Sequence, residues 1–266
     1  MKLRLSVFFL LLSLQLLAQQ YQEVKDIQYY ESPTSEYMKQ QSKLDIHFPK
    51  DEEKKYPVIV WFHGGGLTGG GKEIQQELKN KEIVVVGVGY RLAPKIKAEE
   101  TIDDAGAAIA WVFNNIEKYH GDTSNIYISG HSAGGYLALM AVMNKDNLAK
   151  YDIDANDVAG LIPFSGHTIT HFTIRDQKGI PGTQPIVDQW APLFYVRKDA
   201  PPTLLITGDR ELEMLGRYEE NAYFYRMMKV AGQKEIELYE MDGYGHNMVY
   251  PALPLLLKFV KEKSDQ

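Results

Sequence analysis

The chain has 266 residues, of which 44% are hydrophobic and 24% charged, with a formal net charge of −6 and no cysteine. That length supports one large α/β domain with a substantial core, and the composition is that of an ordinary globular protein. An acidic surface offers no attractive field to polyanions, which argues against nucleic acid and anionic membranes as partners, and without cysteines stability has to come from the core.

The N-terminus reads as a targeting segment. Met1-Lys2-Leu3-Arg4 is basic, Leu5 to Leu17 is largely apolar, and Ala18-Gln19-Gln20 opens a polar stretch. These are the n-region, h-region and cleavage site of a signal peptide over residues 1–18, cut near Ala18. The apolar stretch is shorter than the roughly 20 residues of a membrane span. No cysteine follows it to take a lipid anchor. The expectation is a secreted or periplasmic protein, residues 19–266, with no stable membrane insertion after cleavage.

From there the elements alternate. Val24–Tyr30 and Lys43–Phe48 read as a strand pair, and Val58–Phe62 as a buried strand. Lys72 to Asn80 reads as a short polar helix. Ile83–Val88 is a continuous β-branched run, the pattern of a strand buried on both faces. Thr101 to Tyr119 is an amphipathic helix, and Asn125–Ser129 leads into a further helix beyond Gly135. Val158–Phe164, Thr203–Thr207 and Glu235–Tyr239 read as strands, with helices over Arg217–Val230 and Ala252–Lys261. Strand–helix alternation at this spacing predicts a mostly parallel central sheet wrapped by helices, an α/β fold with its site at the strands' C-terminal ends. Residues 165–199 break the rhythm with glycines, prolines and aromatics. A long irregular insertion in a compact domain is a candidate cap or a structural connector. As a cap it would contribute substrate contacts from His171, Phe172, Trp190 and Tyr195.

The chemistry concentrates in Gly130-His131-Ser132-Ala133-Gly134, set between a strand and a helix. A serine on such a turn has its hydroxyl lifted above the sheet edge as a nucleophile. Upstream, the strand Val58–Phe62 runs into His63-Gly64-Gly65-Gly66. Glycine amides there, with that of Ala133, can hold the oxyanion of a tetrahedral intermediate, so Gly65, Gly66 and Ala133 are the expected oxyanion hole. A phosphate-cradling role is disfavoured, because no Gly-Lys-Ser/Thr ending and no Gly-x-Gly-x-x-Gly is present. A serine hydroxyl needs a base. Of seven histidines, His246 lies in the turn-rich loop Asp242–Asn247 between the last strand and the last helix, which suits the order serine, acid, histidine. The acid is left between two residues of Gly208-Asp209-Arg210-Glu211, with Glu211 preferred over Asp209, and Glu213 is read as a solvated carboxylate. Arg91 and Asp104 are candidates to pair. No histidine or carboxylate spacing suggests a metal site, and no organic cofactor is implied.

These motifs resemble the alpha/beta-hydrolase superfamily, and within it the esterases that carry a His-Gly-Gly-Gly loop: hormone-sensitive-lipase-like carboxylesterases and small bacterial feruloyl or acetyl esterases. Leu44–Pro49, Gly89-Tyr90-Arg91-Leu92-Ala93-Pro94, Asp103–Trp111 and Ala200–Leu205 are similar to that group in family order. Leu67 departs from it, standing where many relatives carry an aromatic residue. The resemblance implies an alpha/beta-hydrolase fold and a serine carboxylic-ester hydrolase. Its substrates would be small-molecule or glycan-linked short-chain acyl or feruloyl esters. The rival readings are a serine peptidase or amidase with the same triad, a lipase, and a non-catalytic binding protein on the same fold.

Overall fold

The structure is a computed structural model that describes residues 20–214 and 216–265. The signal-peptide expectation falls outside the described residues. Eight strands form one sheet in the order β1-β2-β4-β3-β5-β6-β7-β8. They are β1 (Tyr21–Gln28), β2 (Lys43–Pro49), β3 (Tyr56–Phe62), β4 (Val84–Val88), β5 (Gly121–His131), β6 (Gly160–Phe164), β7 (Thr203–Gly208) and β8 (Ile236–Met241). β1, β2 and β4 pair antiparallel, while β4, β3, β5, β6, β7 and β8 pair parallel. The helices are α1 (Glu36–Gln41), α2 (Glu100–Asn115), α3 (Ala133–Met143), α4 (Asp146–Ala149), α5 (Phe172–Gln177), α6 (Arg217–Ala231) and α7 (Val249–Ser264).

The period of two along β3 explains why both sheet faces are covered. Val58, Val60 and Phe62 point into one apolar layer with Ile102, Ile109 and Val112 of α2, Leu137 and Met140 of α3, and Phe224 and Met228 of α6. Ile59 and Trp61 point into the opposite layer with Tyr127, Phe164, Ile206 and, from α7, Leu253, Leu256 and Phe259. A strand sandwiched in this way has no polar face, hence the unbroken β-branched run of β4. α3 is buried along its whole length. It therefore shows no amphipathic stripe, and its register is fixed by packing.

Two expected elements differ. The Lys72–Asn80 helix reduces to a single 3₁₀ turn at Gln76–Leu78. Glu73 is drawn back to the sheet by the Trp61 indole N–H, 3.3 Å from its carboxylate. The Thr101–Tyr119 helix tightens into a 3₁₀ turn over Ile116–Tyr119. Residues 165–199 hold only α5 and a 3₁₀ turn at Pro192–Tyr195.

Candidate active site

Three loops at the C-terminal ends of the parallel strands converge. Ser132 is the one residue between β5 and α3, and its backbone lies at φ 55°, ψ −114°. A non-glycine residue there is strained, at a cost of about 1–3 kcal/mol. The turn is tight because α3 starts immediately against β3. A Cβ on Gly134 would stand 2.0 Å from the carbonyl oxygen of Phe62, so only glycine fits. Ser132 is 9% exposed.

The Ser132 hydroxyl lies 2.9 Å from Nε2 of His246. Nδ1 of the same ring lies 2.5 Å from Oε1 of Glu213. The two contacts assign roles. The carboxylate can only accept, so Nδ1 carries the proton, and Nε2 is left as the acceptor that faces the hydroxyl. The Glu213 side chain is fully buried and that of His246 is 20% exposed. Burial pushes the Glu213 carboxyl up. Hydrogen bonds from His246, Ser165 and the amide of Met214 outweigh it and hold the group down at about 2. Oε2 accepts the Ser165 hydroxyl and the amide of Gly208 at 3.0 Å, while Oε1 also accepts the Met214 amide at 2.9 Å.

The expectation for the carboxylate is therefore corrected: the one that meets His246 is Glu213, and neither Glu211 nor Asp209. Asp209 is turned to the loops, where its carboxylate accepts the amides of Glu211 and Gly243, both at 2.9 Å. Those two bonds close a turn after β7 that leaves Glu211 exposed and carries Glu213 back beneath the sheet edge. Glu213 makes the hydrogen bonds expected of a buried carboxylate, and the reading of it as solvated is wrong.

The His63–Gly66 loop follows β3. Gly66 has φ 64°, which favours glycine, and a Cβ there would stand 3.1 Å from the ring of Phe172. Among the described residues no backbone acceptor takes the amides of Gly65 or Gly66. That of Ala133 is the first of α3, where helices leave their N–H groups free. The loop is braced from behind. The Tyr90 hydroxyl donates to the His63 carbonyl at 2.7 Å, and the two rings stack at 4.2 Å. The Ala93 amide donates to the Leu67 carbonyl at 2.9 Å. Arg91 and Asp104 do pair, with guanidinium–carboxylate bonds of 2.7–3.1 Å, and the Arg91 amide joins them at 2.8 Å. Leu67 is wholly buried. His131 donates from Nε2 to the His246 carbonyl at 2.8 Å. Burial and the neighbouring His246 push its pKa down to about 4, so it stays neutral and keeps that donor role in ordinary buffers.

The insertion meets the site through α5. The Thr173 hydroxyl donates to the Gly66 carbonyl, and Phe172 lies over Gly66. His171 is fully buried, packed among the rings of Phe172, His167 and Tyr136, and caps α5 by accepting the Thr173 amide. Trp190 and Tyr195 are held elsewhere: the Trp190 carbonyl accepts the Tyr136 hydroxyl, and the Tyr195 hydroxyl donates to Gln189. No hydrogen bond or ring contact joins either to Ser132, His246 or the His63–Gly66 loop among the described residues. Sequence reasoning missed Ser165, Arg217 and Glu220. Ser165 stands at φ 44°. Arg217, 1% exposed, donates to the Ser165 carbonyl, to Oε1 of Glu220 at 2.8 Å and to Nε2 of His167 at 2.7 Å. His167 therefore carries its proton on Nδ1, which donates to Glu220 at 2.8 Å.

Residues 44–214, more than half of the chain, match the model of the BD-FAE family. Over 107 residues the chain is 36% identical to the carboxylesterase NlhH of Mycobacterium tuberculosis, covering 38% of this chain and 34% of that one. Over 241 residues it is 25% identical to a probable isoprenylcysteine alpha-carbonyl methylesterase, ICMEL1, of Oryza sativa subsp. japonica, covering 80% of this chain and 56% of the relative. The chain thus spans about a third to a little over half of the length of these curated relatives. Among solved structures, a truncated carbohydrate esterase from gut microbiota superposes with a TM-score of 0.76 at 20% identity, over 93% of this chain and 98% of that one. This likeness shows the alpha/beta-hydrolase fold.

Proposed function

We propose, from the premise that the chain belongs to the BD-FAE family, that it is an exported serine carboxylic-ester hydrolase with Ser132, His246 and Glu213 as its triad. The reading rests on one observation above the rest: the unbroken line from the Ser132 hydroxyl through both ring nitrogens of His246 to the Glu213 carboxylate. In this mechanism the serine oxygen attacks the ester carbonyl while its proton passes to Nε2 of His246. Glu213 stabilises the imidazolium that forms. The carbonyl oxygen takes on negative charge beside the amides of Gly65, Gly66 and Ala133, each donor worth about 3 kcal/mol. His246 returns the proton to the leaving alcohol. Water, deprotonated by the same ring, then releases the acid and restores the serine.

For the substrate we infer small-molecule or glycan-linked esters of short acyl or feruloyl groups. Support comes from the carbohydrate esterase among the structural neighbours. Export rests on the basic and apolar pattern of residues 1–18. The test compares residues 19–266 with the Ser132→Ala variant on p-nitrophenyl acetate and on the matching anilide. Ester hydrolysis lost in the variant is expected, with the anilide hydrolysed far more slowly. Equal rates for both proteins would rule out Ser132. The N-terminal sequence of the secreted protein tests the cut near Ala18.

A further inference from the structure

A cleft of about 540 Å³ opens between α5 and the N-terminus of α6, lined by Ile169, Arg175, Pro185, Glu219, Glu220 and glycines that include Gly216. It borders the site described above: His167 of its lining packs against Phe172, ring centroids 5.4 Å apart, and Phe172 lies over Gly66. Thr173, on the same helix as Arg175, is bonded to Gly66. Two residues of helix separate them, about 3 Å along the axis. Gly216 follows Glu213 by three residues, and Glu220 belongs to the network that holds Ser165.

Arg175 is the unusual member. It is 4% exposed. Its Nη1 donates to the carbonyls of Gly182 at 2.8 Å and Gln184 at 2.5 Å, which fixes the guanidinium against the loop. Nε is buried with no partner, and Nη2 makes no hydrogen bond among the described residues. Among the described residues no carboxylate forms an ion pair with it. Glu220, the one buried carboxylate in the cleft, is already committed: Oε1 accepts Arg217 and His167, and Oε2 accepts the amides of Thr168 and Ile169 at 2.9 and 3.1 Å. Two buried guanidiniums thus face one buried carboxylate. Burying an unpaired charge is costly, and the one free edge of this planar guanidinium, Nε with Nη2, matches a carboxylate. The walls, Ile169, Pro185 and the glycines, add no competing anion, and Glu219 stands exposed at the rim, in water.

We infer that this cleft is a subsite for a carboxylate borne by the substrate, held by Arg175. The inference rests on the ester-hydrolase reading for its place in catalysis, but not for the binding itself. The carboxylate belongs either to the acyl half, as in a dicarboxylic half-ester, or to the alcohol half, as in an acylated uronic acid. Two matched pairs separate these sources: p-nitrophenyl butyrate against mono-p-nitrophenyl succinate, and methyl O-acetyl-xyloside against methyl O-acetyl-glucuronide. The expected result is a kcat/KM ratio of about tenfold or more in favour of the charged member of one pair. Arg175→Gln should bring that ratio near one, and Arg175→Lys should keep part of it. Glu219→Gln, at an exposed position, should raise it several-fold, and 0.5 M salt should lower it. Wild-type ratios at or below one, or a ratio that Arg175→Gln and Glu219→Gln leave unchanged, would overturn the inference. Should Arg175→Gln fail to fold, Glu219→Gln and the salt dependence decide. If none of the four esters is hydrolysed, the esterase reading fails. Calorimetric titration of Ser132→Ala with succinate and methyl glucuronide then decides the subsite: saturable heat weakened by Arg175→Lys supports it, and none refutes it.

Discussion

Replacing Glu213 with glutamine tests the site at its least exposed point. The carboxylate accepts four groups: Nδ1 of His246, the Ser165 hydroxyl, and the amides of Gly208 and Met214. A glutamine of the same shape has one acceptor oxygen and one donor nitrogen. With the nitrogen toward His246, Nδ1 must become the acceptor, so the ring proton moves to Nε2 and points at the Ser132 hydroxyl it should receive from. A tautomer reversed in this way costs about 10⁴ in kcat, or ~5.5 kcal/mol of barrier. With the nitrogen turned the other way it meets the Gly208 amide, two donors face each other, and the buried mismatch costs about 1–3 kcal/mol of stability. The first arrangement predicts a nearly inactive protein in which only the more exposed Met214 amide faces a donor, and the second a weaker but partly active one. The assay is kcat on p-nitrophenyl acetate beside a thermal melt, for Glu213→Gln, Glu211→Gln and Asp209→Asn. We expect a fall of about 10²–10⁴ for the first, within about twofold for the second, and a loss of about 1 kcal/mol of stability for the third, whose carboxylate closes a turn. A Glu211→Gln variant that loses activity while Glu213→Gln keeps it would refute the assignment.

Other outcomes follow from the same geometry. Because the Glu213 carboxyl is held at about 2 in the folded protein against an ordinary 4.5, its contribution to stability is fully present above pH 4.5 and is lost as pH falls toward 2. The difference in melting temperature between wild type and Glu213→Gln should shrink over that window, and a difference independent of pH would count against a buried carboxylate. Arg217→Met takes from Glu220 the guanidinium paired with it and from the Ser165 carbonyl its buried side-chain donor. It should cost about 3–5 kcal/mol, seen as a melting temperature lower by some 6–20 °C. Gly134→Ala places a methyl 2.0 Å from the Phe62 carbonyl, so α3 must shift. Loss of soluble protein, or a fall in kcat well beyond that in KM, is expected from activity and melting measurements on the purified variant.

The fold was legible because burial writes itself into composition. The alternation in β3, the β-branched run of β4 and the elbow glycines each have one structural meaning. The serine and histidine were legible for a related reason: each sits on a turn whose chain position the sheet order fixes. The acid was not. Three carboxylates, Asp209, Glu211 and Glu213, follow β7 within five residues, and sequence spacing cannot say which of them the turn carries inward. That is decided by the bonds of Asp209 to Gly243 and of Glu213 to Gly208 and Ser165. Ser165 comes from another strand's end and has no motif. The buried pairing of Arg217 with Glu220 was equally hidden, since i,i+3 charges usually mark a solvated face of a helix.

The strained residues explain why these loops act together. Ser132 at φ 55°, Ser165 at φ 44° and Leu67 at φ 62° each follow a different parallel strand or its loop. At about 1–3 kcal/mol apiece such backbones persist only where the surroundings over-determine them. Here the restraints are shared. The Ser132 amide donates to the Phe164 carbonyl at 2.8 Å, that of Ser165 to Ile206 at 2.7 Å, and that of Ala93 to Leu67 at 2.9 Å. The nucleophile turn is thus tied to the strand whose next residue carries the hydroxyl on Glu213, and the acid is tied back to the end of β7. Relaxing Ser165 to an ordinary backbone would therefore move the acid and the nucleophile at once. Ser165→Ala removes the hydroxyl bonded to Glu213, so it and Glu213→Gln should be strongly non-additive in kcat. Additive losses in the double variant would mean that the two residues act independently and that the Ser165–Glu213 bond carries no catalytic weight.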